Sequence, residues 1–145
     1  MTYEIEYTDD QIFIHLTDGT YTLNKVDDET DKLRVDDYIA MFERERFYES
    51  DSFIDQFNQH LETAILATRH SGSGAVACRD TLLSLYNGNV YKANLSNWYN
   101  LDSSNRAALL FILEHQVANN RQDIDLYLPK YQADFKRMKD EIGAS

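Results

Sequence analysis

The sequence predicts an α+β protein in which a small N-terminal antiparallel meander of three strands precedes a bundle of four to five helices. Three observations carry that prediction. Residues 3 to 26 fall into short β-rich runs separated by turn residues. A helical apolar spacing takes over from Asp36. Strands come first and helices afterwards, without alternation, which argues for segregated layers rather than a parallel sheet. The division expected is one domain over residues 1–145, with an acidic meander and loop at 1–35 and a helical part at 36–145.

The first strand is read from Tyr3, Ile5 and Tyr7 alternating with Glu4 and Glu6, the period of a strand with one wet face. Turn residues Thr8 to Gln11 follow, then a second run, Ile12 to Leu16. Asp18-Gly19 predicts a type I′ hairpin turn, because positive φ at both central positions suits that pair. Thr20 to Val26 completes the meander. The run Asp27-Asp28-Glu29-Thr30-Asp31 has no apolar residue and is read as a solvated loop.

Asp36 or Asp37 caps a short helix whose inner face is Tyr38, Ile39 and Phe42. Ser52 with Asp55 resembles a capping box opening a longer helix, in which Phe53, Phe57, Leu61, Ala64 and Thr68 recur on one side. That helix ends at Ser71-Gly72-Ser73-Gly74. The next starts near Ala75, buries Val76, Leu82, Leu83 and Tyr86, and closes on Asn87-Gly88 in the left-handed conformation. Leu95, Trp98 and Leu101 suggest a helical or 3₁₀ turn capped by Asn94. Asp102 or Ser103 starts a helix to about Ala118, with Ala107, Leu110, Phe111, Glu114 and Val117 as its expected inner face. Pro129 suits the first turn of a last helix. Its stripe is Tyr131, Phe135, Met138 and Ile142, with Lys136, Arg137 and Lys139 near its C-terminal dipole.

Charge is unevenly spread. The chain has 25 acids against 14 Lys and Arg, net -11. Residues 1–51 hold 15 of those acids and 5 bases, and residues 52–145 hold 10 and 9. Leu, Ile, Val and Phe make up 36 of 145 residues, too many for a disordered acidic tail. A chain of this length buries roughly 68–70% of its unfolded surface and sustains a core without staples. One cysteine forms no internal disulfide, and no apolar run nears the ~18–20 residues of a membrane span. No signal peptide precedes the first strand. The expectation is a soluble cytoplasmic protein with no membrane contact and no direct nucleic-acid binding, since phosphate affinity rests on Lys and Arg.

Catalytic and metal templates fit poorly, so no enzyme activity, cofactor or metal is expected. Cys78 lies among Ala75, Val76, Ala77 and Leu82 and reads as a buried structural thiol rather than a nucleophile for His70. His15, His60, His70 and His115 show no zinc spacing. Asp27, Glu29 and Asp31 alternate as early EF-hand ligands do, yet Lys32 stands where glycine is needed and Tyr38 where a bidentate Glu is needed. Gly72-Ser73-Gly74 before a helix offers backbone N–H groups to an anion but is only a fragment of a phosphate-binding motif.

The remaining feature is an acidic surface built from Glu4, Glu6, Asp9, Asp10, Asp18, Asp27, Asp28, Glu29, Asp31, Asp36 and Asp37, the candidate partner-binding residues. A net of about -10 over a sheet roughly 25 Å across compares with about 15 charges on the same length of duplex. Tyr3, Tyr7 and Tyr21 would share any uncovered sheet face with these acids.

Three stretches carry a resemblance: Gly72 between two helices, Leu82-Leu83-Ser84-Leu85-Tyr86-Asn87-Gly88 at a helix end, and Asn94-Leu95-Ser96-Asn97 leading to Leu101-Asp102. With them, Leu61 to Met138 resembles an uncharacterised family of small proteins associated with phages, plasmids and other bacterial mobile elements. Asn94 and Trp98 depart from its usual Asp and Leu. The resemblance implies a helical core and a mobile-element origin, and it brings no activity. Together with the charge split it gives an expected function: an accessory protein that binds a basic surface of a host protein, such as a nucleic-acid-binding complex, in an anti-defence or nucleic-acid-mimic role. Two alternatives stand beside it, an enzyme or anion binder using Gly72–Gly74 with His70, and a self-associating structural or regulatory protein.

Overall fold

A computed structural model describes residues 3–119 and 122–143. It is an α+β structure with the sheet first and the helices after it, as the sequence predicts. The chain forms two compact units that divide between Ser50 and Asp51. Among the described residues no helix is long and apolar enough to cross a membrane.

In the N-terminal unit, β1 (Glu4–Tyr7), β2 (Gln11–Leu16) and β3 (Gly19–Asn24) form an antiparallel sheet in the order β1-β2-β3. The register pairs Ile5 with Ile14 and Tyr7 with Ile12 on one side, and Ile12 and Ile14 in turn oppose Leu23 and Tyr21. That face packs on α1 (Asp28–Glu49) through Val35, Tyr38, Ile39 and Phe42. Directly opposed residues point to the same side, so the other face carries Glu4, Glu6, Phe13, His15, Thr20 and Thr22. The tyrosines therefore do not share the acidic face. Tyr21 turns to α1, with its ring centroid 4.7 Å from Tyr38 and 5.7 Å from Phe42.

Two turn predictions are corrected. Leu16 pairs with Gly19, which makes Thr17 and Asp18 the central residues of the hairpin, and neither has positive φ. Gly19 takes the last position, where a type I turn favours glycine. Asn87 ends its helix at φ -152° rather than in the left-handed region, and Gly88 has no positive φ either.

The acidic run after β3 is a helix start rather than a loop. Asp27 caps α1, its carboxylate accepting from the Thr30 N–H at 2.8 Å, and Asp28, Glu29 and Asp31 fill the first turn. Free N–H groups and the positive end of the helix dipole favour acids there. Asp31 is only 3% exposed. Its carboxylate accepts from the Val26 N–H at 3.0 Å and from Arg34 at 3.4 Å, while Arg34 donates to the Asn24 carbonyl at 2.9 Å. The end of β3 is thereby tied to α1.

The second unit holds α2 (Asp51–Ala67), α3 (Ser73–Tyr86), a 3₁₀ helix (Leu95–Asn100), α4 (Ser103–Ala118), two short 3₁₀ turns (Ile124–Leu126, Pro129–Tyr131) and α5 (Gln132–Gly143). α2 packs on α4 and α3, and α3 on α4 and α5. Phe57, Leu61, Ile65, Cys78, Leu82, Leu83, Leu109, Ile112, Phe135 and Met138 form the core. Asn94 and Asp102 cap as predicted, accepting from the Ser96 and Asn105 N–H groups at 3.0 and 2.7 Å. The expected inner face of α4 is wrong. Ala108, Leu109, Ile112 and Gln116 are buried, whereas Leu110 and Val117 are 52% and 71% exposed. Pro129 opens a 3₁₀ turn just before α5. Lys136, Arg137 and Lys139 stand in the middle of α5, whose last turn has no base.

Replacing Asp31 with Ala strands the Val26 N–H and Arg34 and should cost about 2–3 kcal/mol, by the loss of hydrogen bonds to a charged group. Asp36→Asn, on the exposed side of α1, should change stability by less than about 0.5 kcal/mol. Urea unfolding of the two variants measures the difference.

Candidate functional site

The two units handle charge differently. Residues 1–50 contain 14 acids and 5 bases, net -9. Of these acids only Asp31 is buried, so it leaves the candidate surface. Glu4, Glu6, Asp9, Asp10, Asp18, Asp27, Asp28, Glu29, Asp36 and Asp37 are exposed, and so are Glu43, Glu45 and Glu49. Among the described residues, the acids of this unit that meet a basic side chain are Asp31, paired with Arg34 at 3.4 Å, and Glu6, hydrogen-bonded to the His15 ring at 3.2 Å. Two further bases lie over aromatic rings: Lys25 is 5.7 Å from the Tyr7 centroid and Arg46 5.9 Å from that of Tyr3. Cation–π contact holds these cations against the unit instead of against its carboxylates.

The exposed acids are grouped, not spread on one face. The Lys25 N–H donates to the Asp10 carbonyl at 2.9 Å, which brings the Thr8–Asp10 turn beside the start of α1. Asp9, Asp10, Asp27, Asp28 and Glu29 thus crowd one end of the unit. Hydrogen bonds from the Thr30 backbone and hydroxyl hold the Asp27 carboxyl below the usual range, so it stays ionised. At the other end Asp18, Glu45 and Glu49 join Leu16, Phe42 and Arg46 around a cavity of about 180 Å³. Glu4 and Glu6 occupy the outer sheet face, about 6.7 Å apart by strand rise. Asp36 and Asp37 lie along α1, which covers the opposite side of the sheet.

In the second unit about half of the acids meet bases. Asp134 accepts from Arg69 through two parallel bonds of 2.9 and 3.0 Å and from Arg137 at 3.3 Å. Arg137 also donates to the Thr68 hydroxyl at 2.8 Å and to Glu141 at 2.8 Å, and Arg79 pairs with Asp80 and Glu141. Lys130–Glu62 and Lys136–Asp140 add exposed pairs at 3.1 and 2.8 Å. Nothing in the sequence marks the clamp between Asp134 and Arg69, because its partners stand 65 residues apart.

The other sequence candidates fall as follows. Cys78 is fully buried, and burial, with the Asp102 charge, pushes its thiol up to about 11. Gly72 caps α3 at φ 107°, a conformation that L side chains rarely adopt. His70 and Gly72 border a cavity of only about 70 Å³, against roughly 300–1,000 Å³ for small-molecule pockets. Among the described residues no group of three or more His, Cys, Asp or Glu is placed to hold a metal ion. The His60 and His115 rings lie tilted against Phe111, with centroids at 4.4 and 4.3 Å, and burial, with the His115 charge, lowers the His60 pKa. A cavity of about 320 Å³, missed by sequence reasoning, is lined by Phe53, Ile54, Phe57, Asn58, Gln122 and Tyr127, with Asn58 Oδ1 buried and unbonded.

Fold and surface together define a small α+β protein with a near-neutral helical unit, crossed by several ion pairs, and an acidic sheet-and-helix unit. The chain belongs to a family of unknown function (DUF7673), which matches residues 60–143. The match runs from within α2 to the end of α5 and leaves the acidic unit outside. No curated protein and no solved structure matches the chain.

Two measurements test this electrostatic description. Hydrogen bonds from Arg69 and then Arg137 lower the Asp134 pKa, so the stability it contributes is complete above the unfolded carboxylate value and lost as pH falls below about 4. Asp134→Asn should cost about 2–3 kcal/mol at pH 7 and much less at pH 3; a gap that does not narrow with acid contradicts the clamp. A thiol reagent at pH 8 should leave Cys78 unmodified in the native protein and react with it after unfolding in guanidinium.

Proposed function

We propose that the protein acts by binding, its acidic N-terminal unit docking on a basic surface of another protein. The observation that supports this most is the unpaired state of the exposed acids: outside Glu6, none of them meets a Lys, Arg or His side chain within 4 Å among the described residues. Carboxylates left without internal partners keep their long-range field and are available to external cations. The helical unit, with 11 acids against 9 bases and most of its bases bonded, offers no comparable field.

The target this surface fits is a nucleic-acid-binding protein of a host, whose groove is already built for a polyanion. The net charge of -9 belongs to the whole unit, whose longest element, α1, runs ~33 Å; it is about half that of duplex of that length, which carries one charge per ~1.7 Å. Competition by charge at the mouth of a basic groove suits that density better than replacement of a whole duplex. The resemblance of residues 61–138 to proteins of phages and mobile elements supports an accessory, anti-defence setting in the host cytoplasm.

Affinity capture from a bacterial lysate at 50 mM and 500 mM salt, read by mass spectrometry, tests the reading. It predicts a basic partner recovered at low salt, reduced at high salt, and lost with Asp9→Lys and Asp10→Lys combined with Asp28→Asn and Glu29→Gln. Asp27 and Asp31 are left intact because the start of α1 depends on them. A partner held equally by that variant contradicts the proposal.

A further inference from the structure

We propose that Leu95, Trp98, Tyr99 and Arg106 form a docking site for a peptide segment of a partner protein that carries an apolar side chain beside a carboxylate. The site belongs to the second unit and lies within the residues that match the family. Its base is the 3₁₀ helix Leu95–Asn100, which is held to the unit at two points and capped locally at its start. Trp98 Nε1 donates to Thr81 Oγ1 on α3 at 3.1 Å, Leu101 is buried at the helix end, and the Asn94 side chain caps its start. α3 comes so close that a Cβ on Gly74 would lie 3.6 Å from the Asn100 carbonyl oxygen. The segment is held by its inner edge, while Tyr99 and Leu95 project outward at 89% and 67% exposure.

Leu95, Ser96, Trp98, Tyr99 and Arg106 surround an open concavity of about 510 Å³, large enough for one or two side chains. Arg106 rises beside it from the first turns of α4 and is exposed, with no acidic partner among the described residues. Asp102, one helical turn before it, does not pair with it, because that carboxylate is engaged by the Asn105 N–H and side chain at 2.7 and 3.2 Å. Most of the unit's other bases are bonded to acids. Arg106 is therefore a guanidinium fork open to an external carboxylate, next to an exposed aromatic shelf. Tryptophan, tyrosine and arginine are the residues over-represented where binding energy concentrates in interfaces, and a shelf already fixed by Thr81 and Leu101 has little ordering left to do on binding.

Selection of a displayed random-peptide library on the whole protein tests the proposal. The enriched sequences should pair an apolar residue with Asp or Glu. A synthetic peptide of that sequence should shift the emission of Trp98, the only tryptophan in the chain. Arg106→Glu and Tyr99→Ala should each weaken it at least ~10-fold, and Arg106→Lys should retain part of the affinity. Both side chains are exposed, so circular dichroism of these variants should match the parent protein. A library that yields no sequence distinguishing the parent from Tyr99→Ala, or peptides without an acid that bind Arg106→Glu as well as the parent, overturns the assignment.

Discussion

Neutralisation of carboxylates by nearby bases is divided unequally between the two units, and the reading of this molecule depends on that division. In the helical unit several acids are bonded to arginines: Asp134 grips Arg69 and Arg137, and Glu141 takes Arg137 and Arg79. These bonds tie the end of α2 and α3 to α5 and spend the charge locally. In the sheet-and-helix unit only Glu6, beside His15, and Asp31, beside Arg34, meet a basic side chain among the described residues. Asp27 and Asp31 satisfy the orphan N–H groups at the start of α1, and the others face solvent. A field that is not consumed inside the protein is felt outside it.

The start of α1 shows how one stretch of sequence serves fold and surface together. Five consecutive residues without an apolar side chain look like a loop when only hydropathy is read. The first turn of a helix needs no apolar residue, and its positive dipole end draws acids. The chain thus places Asp28 and Glu29 at the point where they cost least, beside Asp9 and Asp10 of the neighbouring turn. The opposite end of α1 lacks that compensation, since Glu45 and Glu49 stand at the negative end of the dipole with Asp18 facing the same cavity. Among the described residues, Arg46 is the only base lining that cavity.

Many features governed by neighbours in the chain were legible in the sequence, although the hairpin turn at Asp18-Gly19, the end of α3 at Asn87 and the start of α1, which lies at Asp28 and not at Asp36 or Asp37, escaped it. The alternation of β1, the caps at Asn94 and Asp102, the inner face Tyr38, Ile39 and Phe42, and the row Phe53, Phe57, Leu61 and Ala64 all follow from spacing within one element. Features governed by distant residues were not. α4 carries apolar side chains almost all round, so its period could not choose between Leu110 and Leu109; contact with α2 decides it. Asp31 looks like its exposed neighbours until Val26 and Arg34 close over it. The Asp134 clamp joins the two ends of the helical unit and has no local signature. Of the candidate acids, exposure was legible except at Asp31, whereas their grouping at two ends of the unit required the register of the sheet.

The central claim is that the negative field belongs to the first 50 residues and to their exposed acids. Titrating isotope-labelled protein with a ten-residue oligolysine and following amide shifts tests it most directly. The account predicts that shifts concentrate at Asp9, Asp10, Asp28 and Glu29, with weaker ones at Asp18 and Glu45, and that they vanish at 500 mM salt. Shifts of equal size across residues 51–143, or shifts indifferent to salt, would contradict it.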